Sequence, residues 1–184
     1  MATAAIVLGS ARLIPGLEPG ETSVVVGPHP LEGKPAPDFT LAVVGGEGGS
    51  ASGSPGSSDS VTLSGFRGKP VVINFWAPSC VPCRTEFPVL KSALAAHAGS
   101  GLTILGIWFH GGRFLDSPAD VTGFMAEQGA DWPALADPDG QVQHAYAVVV
   151  PPTTFFVDRS GVVRAVQLGE ITADLLERQL AKIE

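Results

Sequence analysis

The 184-residue chain has little cysteine, little charge and no long apolar run: two cysteines, one tyrosine, two methionines and 16% charged residues. Two cysteines cannot build the cross-linked framework of a small secreted scaffold. A chain of this length needs no such framework, because folding buries roughly 70% of its unfolded surface. Eleven Lys and Arg stand against 18 Asp and Glu, a net charge of −7; with no basic cluster, no nucleic-acid partner is expected. No stretch reaches the ~18 apolar residues that cross a bilayer. His29, His97, His110 and His144 are scattered, so a four-ligand zinc site is not expected. Arg84, not His, follows the second cysteine, which excludes covalent haem attachment. What is abundant is Gly (23), Pro (16) and hydrophobic residues (45%). Together they predict one folded domain with long loops.

Residues 1–33 carry a short apolar stretch at Ala4–Leu8, with no basic residue before it, and the run Val24–Val26. They read as an N-terminal arm or the remnant of an anchor, with Val24–Val26 able to add a short strand. The domain is expected from 34 to 184. Phe39–Val44 reads as a strand and Val61–Leu63 as its return, a hairpin around the flexible Gly/Ser-rich segment 45–60. Val71–Phe75 is continuously apolar and β-branched, the signature of a strand covered on both faces. A helix follows from Val81 to a stop at Gly99, with a kink expected at Pro88. Leu102–Phe109 is a second buried strand and Ala119–Gln128 a helix. Thr154–Asp158 and Val162–Leu168 form a hairpin, and Thr172–Ile183 is an amphipathic helix with Thr172 as its N-cap. Helices between strands, followed by a hairpin, predict an α/β fold with a mixed central sheet flanked by helices.

The only cysteines are Cys80 and Cys83, where the first buried strand meets the helix. Free N–H groups and the positive end of the macrodipole at a helix N-terminus stabilise a thiolate. Pro82 suits the first turn, where its missing N–H has no partner to lose. Cys80 is therefore the expected attacking sulfur. Cys83, one turn in and more buried, would resolve a mixed disulfide. An inert buried pair remains the alternative. Either way the chemistry needs no metal and no cofactor.

The stretch GKPVVINFWAPSCVPCRTEFPVL, with GKPAPDFTL upstream and Pro152-Thr-Thr-Phe-Phe-Val-Asp-Arg-Ser-Gly161 downstream, resembles the thioredoxin superfamily. Within it, the closer likeness is to the TlpA/ResA-like extracytoplasmic thiol-disulfide oxidoreductases, over roughly residues 33–184. The resemblance implies a thioredoxin-like fold with an N-terminal β-hairpin extension, and Cys80 and Cys83 as the redox pair. It implies that Pro152 is the cis-proline beside the dithiol, where backbone pairs with an extended substrate. Glu86 would be the acidic residue that relays a proton to Cys83; the bland alternative is a solvated helix residue. Asn74 stands where cytoplasmic relatives carry a buried Asp, which leaves the relay to Glu86. Trp76, Ser79, Val81, Pro82, Pro151 and Pro152 would line the substrate side, with core or rim as the alternative for Trp76 at the end of its buried strand. Ser79 replaces the family's usual Trp, which predicts a smaller and more polar docking surface, and Pro151 offers no N–H to a docked peptide. Implied partners are a disulfide-containing or dithiol protein and a membrane thiol reductant as electron donor. The implied location is outside the cytoplasm, membrane-anchored in full-length form, with a role like cytochrome c maturation; a monomer is expected.

Three other readings are carried along. A peroxiredoxin-type peroxidase would need Thr where Ala77 stands. A copper-delivery module would need Cys-x3-Cys and a later His, and only His144 is on offer. A non-catalytic interaction domain of the same fold needs nothing more than the fold. Trp108, His110 and Arg113 follow the second buried strand and are candidates for partner contact. Trp132-Pro133 reads as structural, and Asp137-Pro-Asp-Gly140 as a turn too short to bind calcium.

Overall fold

A computed structural model of the chain describes residues 28–45 and 60–184. The expectations for Ala4–Leu8, for Val24–Val26 and for most of the Gly/Ser-rich segment fall outside those residues. Seven strands form one mixed sheet in the order β2-β1-β5-β4-β3-β6-β7. The strands are β1 (Thr40–Val43), β2 (Ser60–Thr62), β3 (Val71–Trp76), β4 (Thr103–Trp108), β5 (Ala134–Ala136), β6 (Thr153–Val157) and β7 (Val163–Leu168). The helices are α1 (Val81–Ala96), α2 (Pro118–Gln128), α3 (Gln141–Ala145) and α4 (Ala173–Leu180).

All six residues of β3 are buried, as its uninterrupted apolar run requires. It lies parallel to β4 and antiparallel to β6. Side chains alternate across the sheet. Phe75 points to the face where Tyr146 meets it tilted and Phe155 edge-on, with Phe39 edge-on to Tyr146. Asn74 and Trp76 point to the opposite face, under α1 and α2, where Trp76 packs on Phe87 and stacks on Phe124. Gly106 of β4 is required at this layer: a Cβ there would lie 2.8 Å from Trp76 Nε1 and 3.2 Å from Trp132 Nε1.

Two short elements were not legible in the sequence: β5, of three residues, and α3, of five. β5 matters to the architecture, because it pairs with β4 on one side and β1 on the other and so attaches the N-terminal hairpin to the sheet. The buried Asp137 carboxylate accepts from the N–H groups of Val142 and Gln143, so the Asp137–Gly140 turn serves to start α3. Packing begins before residue 34: the Gly33 N–H donates to the Val163 carbonyl, and the His29 ring meets Phe155 edge-on. Helix α1 runs through Pro88 to Ala96 without interruption.

Candidate active site

The chain leaves β3 at Trp76, turns through Ala77-Pro78-Ser79 and enters α1 at Cys80, its N-cap. The Cys80 N–H donates to the Ala77 carbonyl, and the Cys83 N–H donates to Cys80 Sγ at 3.2 Å. A backbone donor of the first turn is thus aimed at the first sulfur, as expected for a helix N-terminus. The pair is oxidised, with an S–S distance of 2.11 Å and Cα atoms 5.3 Å apart. Cys83 is fully buried and Cys80 is 3% exposed, while the residues flanking Cys80, Ser79 and Val81, are exposed, as is Pro82.

One turn beyond Cys83, on the same helix face, Glu86 is fully buried and not the solvated residue of the bland reading. Its Oε1 accepts from Asn74 Nδ2 at 2.9 Å and its Oε2 from the Ile171 N–H at 3.3 Å. Among the described residues no cation is paired with it. Burial pushes its pKa up to about 7, against the two hydrogen bonds that hold it down; nearby Glu170 adds to the rise. Asn74 Nδ2 also donates to Thr154 Oγ1 at 3.0 Å, in register across β3 and β6. A buried carboxyl whose pKa is raised toward neutrality can both take and return a proton.

The Pro151–Pro152 peptide is cis. Because Thr153 pairs with Phe75, the two prolines lie where β3 ends, the end of the sheet that carries Cys80. Both are buried, and Pro152 accepts from the Gly169 N–H. Ser79 Oγ donates to Asp116 Oδ2 at 2.8 Å, tying the β4–α2 loop to the dithiol turn.

One expected docking residue is corrected. Trp76 is 0% exposed, buried between α1, α2 and β4, so it offers nothing to a docked partner. Its alternation with Phe75 decides this: a side chain on the helix face of a central strand is core. Trp108 is half-buried against His110, and the Arg113 guanidinium lies over the Phe114 ring. Thr154, the Ile171 N–H and Asp116 were missed. No local signal marks them, since their partners lie 80, 85 and 37 residues away.

The family model described as AhpC/TSA matches residues 33–166. The chain belongs to the AhpC/TSA family. Within it, similar proteins include the thiol-disulfide oxidoreductase ResA of Geobacillus kaustophilus, 31% identical over 152 residues, which are 83% of this chain and 78% of that protein. The thiol:disulfide interchange protein DsbE of Pseudomonas fluorescens biotype C is 32% identical over 155 residues, 84% of this chain and 76% of that one. Among solved structures, the thioredoxin domain of a Bacteroides vulgatus thiol-disulfide oxidoreductase superposes with a TM-score of 0.65 at 26% identity, covering 83% of this chain and 98% of that domain. The thioredoxin-like fold with its mixed sheet is that of these relatives, and the Cys80–Cys83 pair makes this AhpC/TSA member a thiol-disulfide oxidoreductase.

Proposed function

We propose that the protein reduces disulfides of partner proteins outside the cytoplasm, with Cys80 as nucleophile, Cys83 as resolving thiol and Glu86 as proton relay. In the reduced protein the Cys80 thiolate attacks one sulfur of the partner's disulfide. A Cys80–partner bond forms, the partner's S–S bond breaks, and the released sulfur takes up a proton. Cys83 passes its proton to the Glu86 carboxylate and attacks Cys80. The Cys80–Cys83 disulfide forms as the Cys80–partner bond breaks, the partner's newly released sulfur takes the proton back from Glu86, and the partner leaves as a dithiol with two electrons moved to it. A dithiol donor then returns the pair to the reduced state. A membrane thiol reductant in that role, a membrane-anchored full-length form and a monomeric protein complete the reading, which follows the TlpA/ResA-like resemblance. A task of the cytochrome c maturation kind fits it.

The observation that supports this most is the buried carboxyl of Glu86, unpaired with any cation among the described residues, one helical turn from the resolving cysteine. A mere interaction domain has no need to bury an ionisable group without a counter-charge. The peroxidase reading has less to stand on. Ala77 lacks the hydroxyl that reading needs, and Cys80 is paired with a neighbouring thiol. The test is capture. Expressed in its own host, the Cys83→Ser variant should accumulate a mixed disulfide through Cys80, and mass spectrometry of the captured protein names the substrate. An empty trap, no different from a Cys80→Ser control, would return the chain to the non-catalytic reading.

A further inference from the structure

We propose that the loop joining β4 to α2, residues 109–117, selects the partner: it presents Leu115 beside Cys80 to an aliphatic or aromatic side chain flanking the partner's reactive cysteine, and the Ser79–Asp116 hydrogen bond holds it there. The proposal deepens the function above and rests on it.

The distribution of exposed apolar side chains carries the argument. Among the described residues the large ones are Val81 (75% exposed), Leu115 (75%), Val149 (86%), Val150 (46%) and Leu168 (50%). Singly, such residues are ordinary on a protein surface. These five share one end of the molecule. Val81 lies between the two cysteines. Val149 and Val150 run directly into Pro151-Pro152. Leu168 pairs with Thr153, the residue after Pro152. Leu115 adjoins Asp116, whose carboxylate is bonded to the residue before Cys80. A partner chain whose sulfur reaches Cys80 approaches from this end of the molecule. The surface is therefore more apolar than the Ser79 substitution alone predicts.

Leu115 is not at the tip of a loose loop. Gly111 and Phe114 exchange backbone hydrogen bonds in both directions at 3.0 Å. Phe114 is buried edge-on against Phe109. Asp116 is bonded to Ser79, and Ser117 caps α2 in a reciprocal pair with Asp120. With residues 114, 116 and 117 anchored, Leu115 is held outward at low conformational cost to a partner, which is what a specificity contact needs. The occupant this favours is an extended segment whose cysteine is flanked by Leu, Val or Phe.

Two oxidised peptides that differ only in having Leu or Ser beside their disulfide test the idea, with the reduced full-length protein as reductant and stopped-flow tryptophan fluorescence as readout. The wild type should prefer the Leu-flanked peptide about ten-fold. In Leu115→Ala and in Asp116→Ala that ratio should fall to about two, through a higher KM for the Leu-flanked peptide, and Leu115→Met should restore it. A ratio unchanged in both alanine variants overturns the proposal, as does a wild type with no preference. Bis(2-hydroxyethyl) disulfide, which carries no flanking side chain for Leu115 to select, separates the two readings. If the wild type reduces it without discriminating the peptides, only the loop's role falls; if it reduces none of the three, the proposed function falls with it.

Discussion

Glu86 and Asp158 are carboxyls of the same domain placed toward opposite ends of the paired strands β3 and β6, and their surroundings drive them in opposite directions. Among the described residues Glu86 has two donors and no cation, it is fully buried, and its pKa rises to about 7. Asp158, in the turn after β6, is also partly buried, which by itself would raise its pKa. It is surrounded by the Ser160 N–H and hydroxyl, the Val162 N–H and the Arg164 guanidinium, with Arg164 Nε at 2.5 Å, and these hold it down at about 2. The number of donors, and whether one is charged, decides the outcome. A carboxyl left short of donors can trade protons at neutral pH, whereas one given four is a fixed anchor for a hairpin. The first kind belongs at a dithiol, the second at a turn.

The largest effect expected from breaking this contrast is on turnover. Glu86→Gln keeps the shape and removes the titration. Resolution of the mixed disulfide should slow about 10²-fold at pH 7. The rise in rate with pH that has its inflection near 7 in the wild type should also disappear. Rapid-quench measurement of the mixed disulfide between pH 5 and 9 checks both, and a slower reaction with an unchanged inflection would assign the titration to another group.

Stability of the oxidised protein sharpens the contrast, because the two carboxyls have opposite pH signs. For Glu86 the folded pKa lies above the unfolded one. The folded state then binds more protons, and the contribution is complete below about 4.5 and lost as pH rises through about 7. The loss is on the order of 2–3 kcal/mol. Glu86→Gln should flatten urea unfolding free energies across that range. His97, bonded to Glu177 and Glu184, is also held above its ordinary value, first by its bond to Glu177. Its stabilisation is present below 6.5 and fades at higher pH, the same sign as for Glu86. The measurement is therefore best repeated in a His97→Gln background, where the Glu86 slope should survive.

Asp158→Ala gives the smaller effect and the opposite sign. Its folded pKa is depressed, so its contribution is present above about 4 and lost as pH falls through about 2. The variant should lose about 1–2 kcal/mol at pH 7 and much less at pH 2. Equal losses at both values would show that the turn's shape, not its charge, is what counts.

Much of this was readable from residues close together in the chain. The β-branched run 71–75 announced a covered strand, Cys-x-x-Cys with Pro82 announced a helix tip carrying sulfur, and the chain did enter α1 at Cys80. Less readable were elements too short to show a period, such as β5 and α3. Trp76, at the end of a buried strand, read both as core and as a substrate-side residue, and it is core. Only strand alternation under two helices shows it to be core.

By itself, then, the sequence determined the sulfur chemistry and the strand–helix junction that holds it, because donors, caps and propensities act over a few residues. Tertiary structure alone decided the protonation of Glu86, which depends on Asn74 on a neighbouring strand and on an amide 85 residues further along. It also decided which apolar side chains remain outside around Cys80. Burial and pairing of that kind are properties of where distant segments meet, and no local pattern encodes them.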